Sequence, residues 1–270
     1  NYSNYAATTI LSILLNSDIC TNFNFYAISD PDSPLTNRTM SSLERICGKF
    51  GSKIFFKKFP QEIIDQNKEM FSICKGYYPR IVMFKSVLEN ILPDLDKILV
   101  LDVDLLVLRD LSKIYNIDLG ENYALAAVKT PRSLSESVMR FKTCKGLSSN
   151  YFSSGVMVYN LKKMRDISNT SMLNSIIDTN SSDYFYPEMD NLNQLYKDKV
   201  KFMPANWNLV LFDNVELLHH TWFSPYIIHY ANKPFCEKYR KMKEKGLEYH
   251  PYLKAYFPYY ELAKDLMNGE

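Results

Sequence analysis

The run KILVLDVDLLVL, Lys97 to Leu108, constrains this chain more than any other stretch. Two carboxylates, Asp102 and Asp104, stand one residue apart in an otherwise almost unbroken apolar segment. Such a segment reads as a buried strand, and burying two like charges is costly unless something compensates them. Residues i and i+2 of a strand point to the same face. If the strand meets its loop here, both carboxylates can reach one ion. Carboxylate oxygens are hard ligands that suit Mg²⁺ or Mn²⁺. The carboxyl end of a strand is also where open α/β sheets place their ligands. A divalent ion there would offset the repulsion and could in turn hold a diphosphate.

Alone, the pair leaves other readings open. It could be a solvated loop after a core strand, although apolar residues on both sides are unlike a polar surface loop. It also shares the D-x-D pattern of haloacid-dehalogenase-type phosphatases, whose first aspartate is a nucleophile. Those enzymes carry the pair near the N-terminus with a later acidic pair, and no obvious G-D-x-x-x-D follows here.

Around this run, strand-like and helix-like segments alternate. Ala6, Ile10, Leu11, Leu14 and Leu15 have helical spacing, as do Met40, Leu43, Ile46 and Cys47. FNFYAIS, KIFFKK, NYALAAV, SSGVMVYN, KVKFMP and YIIHY read as strands. YYPRIVMFKSVLENILP reads as a helix with Pro79 in its first turn, and LKKMRDISNTSMLNSIID and PEMDNLNQLYKD as further helices. The alternation predicts an α/β fold with a largely parallel sheet flanked by helices. There is no repeat and no flexible linker. With only eight glycines and neither G-x-G-x-x-G nor a P-loop, a glycine-rich turn is not what would cradle phosphates.

At 270 residues, 46% hydrophobic and 23% charged, the chain has the composition of an ordinary globular protein. A net charge of +2 demands no nucleic-acid partner. No apolar run reaches the roughly 18 residues of a membrane span. Five scattered cysteines, Cys20, Cys47, Cys74, Cys144 and Cys236, never form C-x-x-C. They argue against a disulfide framework or a zinc site and predict a reducing, cytoplasmic setting. The sequons at Asn37 and Asn169 are read as chance in an Asn-rich chain. From Phe235 to Tyr260, KYRKMKEK and YHPYLKAYFPYY mix basic and aromatic residues. This tail reads either as a helix whose tyrosines pack on the domain or as a peripheral contact with the inner face of a membrane.

Several blocks, in order along the chain, resemble glycosyltransferase family 8, the retaining sugar-nucleotide transferases that include lipopolysaccharide glucosyl- and galactosyltransferases. They are NYSNYAATTILSIL, YPRIVM, LPDLDKILVLDVDLLVLRDL, YFSSGVMVYNLKKMR, MDNLNQL, FMPANWN and IIHYANKPF. The resemblance implies a GT-A fold, a Rossmann-like mixed, mostly parallel sheet in one domain. Residues 1–234 would form the transferase domain and 235–270 a basic and aromatic helical extension. It implies Asp102, Asp104 and His229 as ligands of Mn²⁺ or Mg²⁺, with Lys233 on the diphosphate. Asn1 and Tyr2 would sit at the uridine of a UDP-sugar, with Tyr2 stacked on the base. Arg80 would lie near the donor's phosphates and sugar, and Val103 and Ser153 would also line the donor. Glu188, Met189 and Asp190 stand where the family has the sugar-facing D-Q-D.

Departures from the family gather around the sugar. Ser153 replaces an asparagine, Met189 a glutamine, and Lys129 or Thr130 an aspartate. The glycine between the histidine and K-P-W has no counterpart, nor has the family's first strand, which would precede Asn1. The implied reaction moves a hexose, glucose or galactose, from a UDP-sugar to a hydroxyl of a glycan or lipid-linked oligosaccharide such as lipopolysaccharide. Met189 cannot be a nucleophile, so same-face attack through a short-lived oxocarbenium-like pair is expected, with Glu188 and Asp190 orienting sugar hydroxyls. The non-enzymatic alternative is a degenerate sugar-nucleotide-binding protein.

Overall fold

The computed structural model describes residues 2–72, 79–130, 150–167, 186–211, 224–231, 244 and 251–269. The N-terminal apolar periodicity forms α1 (Tyr2–Leu15). A βαβ unit follows, made of β1 (Asn24–Ser29), α2 (Asn37–Lys49) and β2 (Lys53–Lys58). Thr36 caps α2, its hydroxyl accepting from the Thr39 amide at 3.2 Å. The strands pair in parallel from Asn24 opposite Lys53 to Ser29 opposite Lys58. Two short helices, α3 (Gln61–Gln66) and α4 (Lys68–Ser72), lie where the sequence pattern indicated nothing.

The helix expected around Pro79 is instead a 3-10 turn series, Arg80–Val87, leading into a short α5 (Leu88–Ile91). In a 3-10 helix, side chains three residues apart eclipse. Met83 with Ser86, and Phe84 with Val87, are thereby buried in the core. Val82 and Lys85 share the remaining side, toward the D-x-D segment.

β3 (Lys97–Leu101) and β4 (Leu105–Val107) are separated by the two aspartates. After α6 (Ser112–Tyr115) come β5 (Leu125–Lys129), β6 (Phe152–Asn160), α7 (Leu161–Ile167) and α8 (Pro187–Tyr196). The later part of the 161–178 segment expected as helix lies outside the described residues. The chain then forms β7 (Val200–Met203), β8 (Leu209–Val210), β9 (Ile227–His229) and a C-terminal helix, α9 (Pro251–Asn268).

Three sheets result, in the orders β1-β2, β3-β6-β5-β7 and β4-β9-β8. The sheet is mixed. Among the described residues, β1-β2, β5-β7 and β8-β9 are parallel, while β3-β6, β5-β6 and β4-β9 are antiparallel. Antiparallel ladders are therefore as numerous as parallel ones. The pairs β3-β6 and β4-β9 join segments far apart in sequence, so local alternation could not reveal their direction. β6 runs between β3 and β5 and divides two cores by its period of two. Met157 and Tyr159 face a cluster with Leu192 and Leu195 of α8, whereas Val156 and Val158 face Leu105, Val107, Trp207 and Ile227.

The edge of β4 away from β9 is covered by α1 rather than by a strand. Thr9 Oγ1 donates to the Val103 and Leu105 carbonyls at 2.8 and 2.9 Å and lies 3.2 Å from the Leu105 amide as its acceptor. The Ser12 hydroxyl accepts from the Val107 amide at 3.0 Å, and Asn16 Nδ2 donates to the Val107 carbonyl at 3.0 Å. Thr9, Ser12 and Asn16 fall on one helical face, so their spacing matches a strand edge that buries its polar backbone.

The tail was read two ways, and its described helix packs on the domain. Tyr256 is fully buried against Tyr5, Leu106, Ile228 and Tyr230, and Ala263 against Ala7, Leu11, Leu43 and Ile46. No described helix is long and apolar enough to cross a membrane.

Candidate active site at the break between β3 and β4

The chain leaves one sheet and enters another across Asp102–Asp104. The Asp102 amide still donates to the Gly155 carbonyl at 2.9 Å, extending the β3-β6 ladder by one bond. The Asp104 carbonyl then accepts from the Tyr230 amide at 3.0 Å, and Leu105 pairs with His229. Strand pairing therefore delivers a histidine 125 positions away to the side of both carboxylates. His229 Nε2 lies 3.3 Å from Asp104 Oδ1 and 3.5 Å from Asp102 Oδ2. One ligand atom from each residue lies within 4.8 Å of the other two.

Two carboxylates and an imidazole converging in this way fit a divalent ion with oxygen and nitrogen ligands. Gly155 makes the arrangement possible. A Cβ there would overlap the His229 ring, standing 2.5 Å from Nδ1 and 3.2 Å from Asp102 Oδ2.

Lys85 joins this cluster to a second carboxylate. Its ammonium lies 2.5 Å from Asp102 Oδ1, 2.8 Å from Glu188 Oε1 and 3.2 Å from the Ser154 carbonyl. The Ser154 hydroxyl donates to Glu188 Oε2 at 3.0 Å. Asp102 thus gives one oxygen to the lysine and presents the other to His229.

The electrostatics follow from burial and pairing. Burial alone would lower the Lys85 ammonium's pKa, but Asp102 and Glu188 outweigh it and hold the group protonated well above its ordinary value. Burial raises Glu188, with Lys85 opposing and Asp102 assisting, and the net direction is up. For Asp104, burial pushes up while the His229 hydrogen bond and charge pull harder, so its carboxyl sits low. His229 is pushed down by burial and up by Asp104 and Asp102, and the carboxylates prevail.

One pocket collects these groups. Asp102, Asp104, His229, Ser153, Ser154 and Glu188 form its polar side. Val82, Pro187, Met189, Val210 and Ala231 are apolar residues of its lining.

Comparison with known proteins decides the family. Residues 1–236 match the description "Glycosyl transferase family 8". The chain belongs to glycosyltransferase family 8. Among curated relatives, the lipopolysaccharide 1,2-glucosyltransferase of Escherichia coli K12 is 28% identical over 247 residues, 87% of this chain and 70% of the relative. General stress protein A of Bacillus subtilis is 24% identical over 279 residues, 98% of this chain and 91% of the relative. Among solved structures, the galactosyltransferase LgtC in complex with donor and acceptor sugar analogs superposes with a TM-score of 0.70. It is 20% identical and covers 100% of this chain and 92% of its own. Mouse xyloside xylosyltransferase 1 gives a TM-score of 0.62 at 14% identity over 86% of this chain and 94% of its own. These likenesses establish the GT-A fold and a glycosyltransferase, and they remove the phosphatase reading of D-x-D.

The family 8 positions read from sequence separate into groups. Asp102, Asp104, His229, Ser153, Glu188 and Met189 come together in the pocket. Of the two candidates for the replaced aspartate, Thr130 lines the pocket. Lys129 instead donates to Asn150 at 2.8 Å and lies over the Phe202 ring.

Asp190 has a different place from the one expected. It is fully buried, accepting from the Tyr151 hydroxyl at 2.5 Å and the Tyr186 amide at 3.1 Å, and does not line the pocket. At the first turn of α8 its charge favours the helix dipole, so it holds the helix that carries Glu188 and Met189. Val103 presents its carbonyl to Thr9 while its side chain points outward. Arg80 pairs with Asp30 and Asp32, its Nε 2.7 Å from Asp30. Tyr2 is exposed beside Tyr5. Asn1 and Lys233 lie outside the described residues.

Lys85 and Gly155 carry site geometry that the sequence reading assigned to neither. A lysine inside the apolar segment IVMFKSV was the available signal for the first. For the second, a glycine in a strand interior signals close approach of another group.

Proposed function

We propose that this family 8 transferase moves a hexosyl group, glucose or galactose, from a UDP-sugar to a hydroxyl of a glycan or lipid-linked oligosaccharide such as lipopolysaccharide, with retention at the anomeric carbon. The observation that carries the reading is the joining of Asp102, Asp104 and His229 to Glu188 through Lys85 in one pocket. A bound Mn²⁺ or Mg²⁺ would supply Lewis-acid stabilisation of the departing diphosphate. The family resemblance would put Lys233 and Arg80 at that diphosphate as positive charges, with Tyr2 stacked on the uracil and Asn1 beside it.

Around the sugar, Glu188 is held by the Lys85 ammonium and the Ser154 hydroxyl. A carboxylate fixed in this way is suited to orient sugar hydroxyls rather than to attack. Met189 has no nucleophilic oxygen. The acceptor hydroxyl therefore attacks from the face the nucleotide leaves, without the covalent intermediate of retaining glycosidases.

A panel of UDP-sugars incubated with Mn²⁺, with EDTA, and with the Asp102→Asn and Asp104→Asn variants tests the reading. UDP release from at least one UDP-hexose, abolished by EDTA and by either variant, is the expected result. The methionine on the pocket wall favours the rival of a degenerate binder. That rival holds if UDP-sugars bind but none is cleaved.

A further inference from the structure

We infer that Asn208 is a positioning residue for the candidate ion site, fixing His229 with its hydrogen on Nδ1 so that Nε2 faces Asp102 and Asp104. The inference rests on the metal reading of that site. Asn208 follows the 3-10 turn Ala205–Trp207 and precedes β8, with 4% of its surface exposed. Its Oδ1 lies 3.2 Å from His229 Nδ1, and its Nδ2 donates to Ser153 Oγ at 3.0 Å.

A side-chain amide has one accepting end and one donating end. With Nδ2 directed to Ser153, the end facing the imidazole is the carbonyl oxygen, which can only accept. Nδ1 must then carry a hydrogen, and Nε2, which in the ion-free site donates to the Asp104 carboxylate, is the nitrogen that would turn a lone pair to an ion on losing its own. Metal-binding histidines are ordinarily oriented by such a partner on the other nitrogen.

The backbone reinforces the relation. β8 and β9 are parallel neighbours with Val210 opposite His229, and the Leu211 amide donates to the His229 carbonyl at 2.8 Å. Asn208 thus immediately precedes the strand that pairs with His229. This gives Ser153, which replaces the asparagine common in the family, a task of its own. Its hydroxyl oxygen accepts the Asn208 amide hydrogen and holds the far end of that side chain. The relay Ser153–Asn208–His229 joins the pocket wall to the ion site without touching the ion.

The test uses the full chain with Mn²⁺ alone, its affinity read from the electron paramagnetic resonance of free Mn²⁺. In parallel, ¹⁵N spectra of histidine-labelled protein report the ring tautomer at a pH where the ring is neutral. The chain has four histidines, so a His229→Gln variant assigns the signal. The wild type should show hydrogen on Nδ1. Asn208→Ala should weaken Mn²⁺ binding by about 10- to 100-fold and lose the single tautomer. Asn208→Asp keeps an acceptor at Nδ1 and should restore both. Ser153→Ala, a milder change, should mix the tautomers and keeps the test usable if Asn208→Ala does not fold. A wild type whose Nδ1 carries no hydrogen when the diamagnetic ion Mg²⁺ is bound, or wild-type Mn²⁺ affinity in Asn208→Ala, overturns the role of Asn208. A wild type that binds no Mn²⁺ overturns the metal reading instead, while the tautomer spectrum still decides the Asn208 assignment.

Discussion

The Thr9 hydroxyl donates to the Val103 carbonyl at 2.8 Å, although 94 positions separate the two residues. Val103 is the residue between the two aspartates of the candidate ion site, so a helix near the N-terminus anchors the backbone that carries them. The same hydroxyl also serves the amide and carbonyl of Leu105, which is fully buried. Thr9→Val keeps the shape and removes these partners. Leaving a buried backbone group without its partner costs about 1–3 kcal/mol. Urea denaturation should show Thr9→Val less stable by that amount, with Thr9→Ser close to wild type. Equal midpoints for all three would mean that water replaces the hydroxyl.

Lys85 stands between Asp102 and Glu188, and its removal leaves two carboxylates in a largely buried site without a shared cation. Breaking such a pair costs about 3–5 kcal/mol. Lys85→Met, similar in length but uncharged, should lower the melting temperature of the ion-free protein substantially. A Mn²⁺ held by Asp102, Asp104 and His229 would offset the Asp102 charge in place of the lysine. The thermal shift on adding Mn²⁺ should therefore be larger in Lys85→Met than in wild type. Scanning calorimetry with EDTA and with Mn²⁺ measures both, and an unchanged melting temperature with EDTA would contradict the pairing.

Gly155→Ala introduces the smallest side chain, yet its Cβ would overlap the His229 ring. The ring must move away from Asp102 and Asp104, because the neighbours of Gly155 on β6 are themselves fully packed. The expected result is a fall in Mn²⁺ affinity comparable to that of His229→Ala, with far-ultraviolet circular dichroism retained. Titration calorimetry with Mn²⁺ provides the measurement. Wild-type affinity in this variant would show that the histidine is not needed where the structure puts it.

The legible parts of this protein were those written locally. Alternating segments gave most of the strands and helices, and the aspartates betrayed themselves as charges in an apolar run. His229 was found by resemblance to a family motif, since the β4-β9 pairing that brings it to the site joins strands far apart in the chain. Lys85 remained hidden for a related reason. Its segment reads as an apolar helix, and the partners of its ammonium, Asp102 and Glu188, lie 17 and 103 positions further along the chain. Asp190 shows the opposite case. Its match to the family's D-Q-D implied a place at the sugar, but at the start of α8 its side chain bonds Tyr151 in the interior. Thr9, Ser12 and Asn16 look like ordinary small polar residues of an N-terminal helix. Their function exists only once β4 lies beside them.

Arg80 and Asp30 allow the pH dependence to be worked out. The Arg80 guanidinium hydrogen-bonds the Asp30 carboxylate, and despite burial this holds the acid below its ordinary value of 3.8. An acid with a depressed folded-state pKa contributes stability that is present above its unfolded value and lost as the pH falls through the folded one. The difference in stability between wild type and Arg80→Gln should therefore be level above about pH 5 and shrink below about pH 4, approaching the unperturbed carboxylate range. Urea denaturation across that range tests it, and a gap that widened on acidification would refute the sign. The proposed role at the donor diphosphate is read from the same variant by a different measurement. If Arg80 also reaches the donor, UDP affinity at neutral pH falls in Arg80→Gln, whereas in Asp30→Asn it holds or rises, because the guanidinium loses its intramolecular partner. A purely structural pair would weaken stability in both variants and leave UDP affinity unchanged.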